Sequence, residues 1–153
     1  MTYRYWTVLA ILGSAGLLLA AFGFQHLGGM APCKLCLWQR WPHAAAIAVG
    51  AAVLISGRAP LAWLGAVAAL GTAGIGAYHV GVEQGWWQGP TSCTSSGVSG
   101  LSADELLDQI LGAPLVRCDD IAWQLAGISM AGWNAIASLI LAAMWMMAAR
   151  STR

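Results

Sequence analysis

Charge is scarce in this sequence. Of 153 residues only 8% are charged and 59% are hydrophobic, whereas an ordinary soluble domain carries roughly a quarter charged residues. That shortage excludes a water-soluble globule. The long apolar stretches contain no Asp, Glu, Lys or Arg at all, which argues against the ion path of a transporter. The six acids form no run and the net charge is +1; no nucleic-acid partner is expected. Internal sequence repeats are also absent, although two hairpin arrangements resemble each other. Cysteine is limited to four residues, and none stands inside an apolar stretch.

What is present is apolar length. A bilayer core about 30 Å thick needs ~20 apolar residues per helix, and four stretches approach that: about 5–25, 41–57, 60–80 and 124–149. The second is short but closely flanked by Arg40 and Arg58. Gly, Ala and Ser in the third and fourth let helices approach closely. The expected fold is an all-α integral membrane protein, a single membrane domain over 1–153 built as a four-transmembrane-helix bundle. The alternative for the first stretch, a cleaved signal peptide, is disfavoured because its apolar core exceeds ~7–15 residues and Met30-Ala31-Pro32 is a poor cleavage site.

Four spans place the termini and the 56–59 turn on one side, and the loops 26–40 and 81–123 on the other. Arg4, Arg58, Arg150 and Arg153 lie on the first side, against Lys34, Arg40 and Arg117 on the second. The positive-inside bias therefore favours cytoplasmic termini. All four cysteines, Cys33, Cys36, Cys93 and Cys118, then share the outer face, where disulfides persist. Trp6, Trp38, Trp41, Trp86, Trp87 and Trp123 fall near the expected interfaces. Within the long loop, residues 88–100 read as a mobile segment. Ser102 to Leu111 reads as a short surface helix, with Ser102 and Glu105 as a capping box.

Residues 33–40 read CKLCLWQR. The reactivity of a C-x-x-C pair depends on how readily one sulfur becomes a thiolate. Cys36 is expected at the start of the second helix, where orphan backbone donors and the dipole favour negative charge. Arg40 stands about one turn further on, and Lys34 adds a second positive charge. The competing reading of Arg40 is a side chain that merely snorkels to the interface. Cys93 and Cys118 are separated by 24 residues and would close a large loop, with a purely structural disulfide as the alternative. A four-cysteine zinc site normally uses two close pairs, so no metal is expected.

The four spans, the C-x-L-C-x-x-Q-R sequence in the first outer loop and the distant cysteine pair in the second resemble the DsbB family of disulfide bond formation proteins. The likeness extends to Tyr78-His79-Val80-Gly81-Val82-Glu83, to Cys118-Asp119-Asp120 and to Gly127 through Asn134. It implies a bacterial inner-membrane thiol oxidase with periplasmic loops. Its partner would be a periplasmic DsbA-like thioredoxin-fold protein, and its acceptor a membrane quinone, ubiquinone or menaquinone. By the same resemblance a partner thiolate attacks Cys93, and Cys118 is released to attack Cys33. Cys36 is freed beside Arg40 and donates into the quinone, with His79 and Met130 bordering its headgroup. For His79 the alternative is an interface histidine, and for Met130 simple packing. His26 and His43 receive no functional role.

Other readings predict different behaviour. A vitamin K epoxide reductase-like enzyme would carry its C-x-x-C near the last span, not before the second. A non-catalytic scaffold would hold its cysteines oxidised and inert. Disulfide connectivity stays open between Cys33–Cys36 with Cys93–Cys118 and a bond joining Cys33 to Cys118.

Overall fold

The computed structural model describes residues 2–90 and 116–151. They form four long helices: α1 (Tyr3–His26), α2 (Lys34–Ser56), α3 (Ala62–Glu83) and α4 (Met130–Arg150). A 3₁₀ turn at Ala59–Leu61 leads into α3. A two-stranded antiparallel ladder, β1 (Gln124–Leu125) and β2 (Ile128–Ser129), precedes α4. Cys93 and the expected 102–111 surface helix lie outside the described residues.

The helices pack in a ring, each against its two neighbours: α1 with α2, α2 with α3, α3 with α4, and α4 with α1. Three stretches, Tyr3–His26, Ala59–Glu83 and Met130–Arg150, are long and apolar enough to cross a membrane. At 23 residues α2 matches them in length, but Lys34, Gln39, Arg40 and His43 dilute its apolar character.

Two expected boundaries move. Helix α2 starts at Lys34, seven residues before the expected 41, because Cys33 supplies an N-cap and the polar turn 34–40 is already helical. The fourth helix starts at Met130 and not at 124. Ala126 and Gly127 take positive φ of 53° and 77°, the geometry of a two-residue type I′ hairpin turn. Residues 124–129 are thereby committed to a ladder with register Gln124↔Ser129 and Leu125↔Ile128. Ser129 then caps α4 by accepting the Gly132 amide.

Large apolar side chains point outward, Leu19 at 70% and Ile55 at 87% exposure, as lipid-facing side chains do. The interior is small. Ala10, Ala46, Ala62, Ala66, Ala69, Ala142 and Ala148 surround the fully buried Trp145. Gly65 faces its ring, where a methyl group would collide with it, and a methyl group at Gly50 would collide with Ile11 and crowd the same ring. Such small surfaces bring backbones together where no hydrophobic drive separates lipid from protein. At Gly76, α3 meets α4 so closely that an added Cβ would stand 3.0 Å from the Ala131 carbonyl oxygen. Trp145 fills the bundle end that holds the chain termini, and the polar residues gather at the other.

Candidate active site

At that other end Cys33 caps α2. Its backbone is extended and its sulfur accepts the Cys36 amide N–H at 3.1 Å. The Cys33 thiol in turn donates to the Cys36 sulfur at 2.7 Å. The Cys36 amide at the helix start therefore serves Cys33, while the Cys33 backbone makes a smaller hydrogen bond that favours the Cys36 thiolate. The proton held between the sulfurs, with burial second, drives the Cys33 thiol well above its ordinary range. The same hydrogen bond lowers Cys36, against the opposing effect of burial. Both residues precede the expected span at Trp41, and both are free thiols.

Cys118 is fully buried and disulfide-bonded; with Cys33 free, the connectivity joining those two is not the one present. Leu35 and Val82 enclose both residues. The Cys33 sulfur, the Cys118 sulfur and His79 Nε2 all lie within 4.8 Å of one another. His79 reaches this cluster from α3, with Nε2 3.6 Å from the Cys33 sulfur and 3.1 Å from the Cys118 carbonyl oxygen.

Behind the sulfurs runs a chain of polar side chains. Gln39 Nε2 donates to the Leu35 carbonyl at 3.2 Å and to His79 Nδ1 at 3.1 Å. Gln39 Oε1 accepts from Asn134 Nδ2 at 2.7 Å, and Asn134 Nδ2 also meets Thr72 Oγ1 at 3.1 Å. Thr72 donates to the Gln39 carbonyl at 3.1 Å, and His43 Nε2 stands 2.9 Å from Asn134 Oδ1. Three helices thus share one network. Since buried amides left without partners cost about 1–3 kcal/mol each, Gln39→Leu is expected to lower stability by roughly 2 kcal/mol. Denaturant unfolding in detergent micelles should record that loss while helical content is retained.

Arg40 turns towards α1. Its guanidinium donates to Gln25 Oε1 at 2.6 Å and to the Ala21 carbonyl at 3.5 Å, and lies 4.9 Å from the Phe22 ring. Its Nε has no hydrogen-bond partner among the described residues. Lys34, expected to add charge beside the thiols, instead holds its ammonium 5.8 Å from the Trp38 ring. Cys33, Cys36, Arg40, His43, His79 and Met130 all border one cavity of about 320 Å³. Leu17, Ala21 and Phe24 of α1 give it an apolar wall.

Of the residues singled out in the sequence, the structure brings together Cys33, Cys36, Cys118, Arg40, His79 and Met130. It adds Gln25, Gln39, His43, Thr72 and Asn134, to which sequence reasoning gave no role. A signal was there to find: Cys36, Gln39, Arg40 and His43 recur at helical spacing along one face, and polar residues within an apolar bundle seek partners on neighbouring helices.

The family model for disulfide bond formation protein DsbB matches residues 3–148. Disulfide bond formation protein B of Albidiferax ferrireducens is 30% identical over 151 residues, covering 90% of this chain and 86% of its own. The protein of the same name from Methylococcus capsulatus is 35% identical over 144 residues, covering 89% and 87%. Disulfide bond formation protein B 2 of Pseudomonas aeruginosa is 33% identical over 141 residues, covering 85% and 80%. No solved structure matches the chain.

Proposed function

This chain belongs to the DsbB family of disulfide bond formation proteins, and from that premise we propose that it is a thiol:quinone oxidoreductase of the bacterial inner membrane. It reoxidises a periplasmic DsbA-like thioredoxin-fold protein and passes the electrons to ubiquinone or menaquinone. The general role of DsbA–DsbB–quinone relays, which keep the bacterial periplasm oxidising kinetically, supports the reading. All four helices span the membrane, with cytoplasmic termini, and loops 26–40 and 81–123 face the periplasm. Arg4, Arg58 and Arg150, at the bundle end away from the cysteines, support that orientation.

The observation that carries the proposal is the approach of two separate cysteine systems, the Cys33 and Cys118 sulfurs lying within 4.8 Å. Exchange requires an attacking sulfur beside the one attacked; a stapled scaffold has no need of it. A partner thiolate attacks Cys93, the Cys93–Cys118 bond breaks, and Cys118 leaves with the electron pair. Cys118 attacks Cys33, the Cys33–Cys36 bond breaks, and the pair passes to Cys36. The partner's second thiolate then attacks its mixed disulfide, leaving as the oxidised partner and freeing Cys93. Cys93 attacks Cys118, restoring their bond and releasing Cys33. The relay ends with Cys33 and Cys36 as free thiols and the Cys93–Cys118 bond closed.

The cavity suits a quinone headgroup. Its volume of about 320 Å³ falls at the lower end of small-molecule pockets, with a thiol pair at its edge and buried nitrogens of Arg40 and His43 that find no hydrogen-bond partner among the described residues. A bound quinone supplies an acceptor of two electrons and two protons, which are what the Cys33–Cys36 dithiol loses on closing its disulfide. With a quinone bound, Arg40 would stabilise the negative charge that develops on it, while His79 holds the Cys33 sulfur and the Cys118 backbone together.

The test is quinone reduction, followed by absorbance, when the purified protein in detergent meets a reduced thioredoxin-fold dithiol protein and a soluble ubiquinone or menaquinone analogue. Catalytic turnover is expected. Failure with both quinone types would leave only the scaffold.

A further inference from the structure

His43 has one ring nitrogen that nothing among the described residues uses. The side chain is buried, at 3% exposure, borders the cavity, and leaves Nδ1 without a hydrogen-bond partner among the described residues. Which role that nitrogen plays follows from the network, starting at a group whose character is certain. The Leu35 carbonyl only accepts, so the Gln39 atom 3.2 Å away is its NH₂, and Gln39 Oε1 must face Asn134. Asn134 therefore turns its own NH₂ to Gln39 Oε1 at 2.7 Å. Thr72 fixes the same orientation independently: its hydroxyl hydrogen goes to the Gln39 carbonyl, so it accepts from Asn134 at 3.1 Å. Asn134 Oδ1 is left as an acceptor for His43, 2.9 Å away, which places the imidazole proton on Nε2. Nδ1 carries a bare lone pair.

A buried acceptor costs free energy until a donor reaches it. The oxidised quinone offers only carbonyl oxygens, which have no hydrogen to give; the reduced form offers hydroxyls. His43 follows Cys36 by seven residues, two turns or about 10 Å along the same face of α2. Cys36, Arg40 and His43 border the same cavity, so a ring held there beside Arg40 would have its second oxygen on the His43 side. We infer that His43 is the hydrogen-bond acceptor for a hydroxyl of the reduced quinone, so that the site favours quinol over quinone; this rests on the oxidoreductase reading above. Tighter binding of the reduced form raises the potential of the bound couple, by about 30 mV for each tenfold difference in affinity in a two-electron couple, and draws electrons from the dithiol.

The experiment is equilibrium binding of a short-chain ubiquinol and ubiquinone pair, read by quenching of the nine tryptophans. It uses the full-length Cys36→Ser protein, so that binding is measured without turnover. Adding His43→Leu is expected to weaken ubiquinol about tenfold, a loss of ~1.4 kcal/mol, and ubiquinone by less than about twofold. His43→Asn, whose amide oxygen reaches the place of Nδ1, is expected to retain most of the ubiquinol affinity. Equal weakening of both forms, or unchanged ubiquinol binding, would overturn the assignment and leave the oxidoreductase standing. If neither form binds even with His43 in place, and neither binds the wild-type protein, the oxidoreductase reading itself falls. Should the leucine variant fail to fold, ubiquinol is compared with its mono-O-methyl ethers on the His43 protein. Loss of affinity on methylating one hydroxyl supports the hydrogen bond, and equal binding of all three overturns it.

Discussion

Cys36→Ser is expected to lower quinone reduction by about 10³-fold or more, the scale on which an enzyme loses activity with its covalent nucleophile, while the protein folds and still accepts its partner. Serine has no sulfur with which to close a disulfide to Cys33, and its hydroxyl does not ionise near neutral pH, so it donates no electron pair. The surroundings of Cys36 show what is lost. Its sulfur receives the Cys33 S–H at 2.7 Å, and that hydrogen bond is the chief cause of its lowered pKa. The reactive thiolate therefore survives below the ordinary thiol range. As pH falls through the depressed pKa, Cys36 protonates and its alkylation by iodoacetamide slows; Cys33→Ala removes the donor and moves that inflection upward. Stopped turnover together with an intact mixed disulfide to a thioredoxin-fold partner at Cys93 would locate the block directly after the first exchange, where Cys118 finds no Cys33–Cys36 disulfide to attack. Full activity in Cys36→Ser would remove this C-x-x-C from the electron path.

Arg40→Leu is the second large effect, a fall in turnover of about 10²-fold, comparable with losing one preorganised donor to a developing oxyanion. Two roles follow from the sequence, stabilising the Cys36 thiolate and stabilising the reduced acceptor. The structure weights them unequally. Arg40 is the smallest of the influences on Cys36, behind the two hydrogen bonds from Cys33, burial and Glu83. Its guanidinium is held by Gln25, the Ala21 carbonyl and the Phe22 ring. Turnover should collapse in Arg40→Leu while the pH profile of Cys36 alkylation barely moves. A profile displaced as far as in Cys33→Ala would return Arg40 to the thiolate. Arg40→Lys should recover little, because a lysine ammonium lacks the planar fork that reaches Gln25 and Ala21 together.

Both effects show how much of the site was legible in advance. C-x-x-C spacing, a basic residue one turn on, and cysteines confined to one face are local or topological signals, and they led to Cys33, Cys36, Cys118 and Arg40. Long-range partners were not legible. Gln39 stands 40 residues from His79 and 95 from Asn134, and nothing in a single chain of letters pairs them. His43 received no role because its meaning lies in the one nitrogen that Asn134 leaves over. The direction of Cys36's pKa shift was foreseen, but its chief cause was not: the Cys33 thiol proton leads, and the helix-start backbone and Arg40 contribute less.

By itself the sequence determined that this chain is a helical membrane protein, because low charge and apolar length are judged against the bilayer without reference to any other part of the chain. It also determined the four long helices of the described residues and the family, since these depend on composition and spacing. The tertiary structure alone decided that α4 begins after a hairpin, that Arg40 leans on α1, and that three helices share one buried network. The reason is that hydrogen-bond partners and helix approach are set by pairwise geometry across the bundle, which residue order does not encode locally.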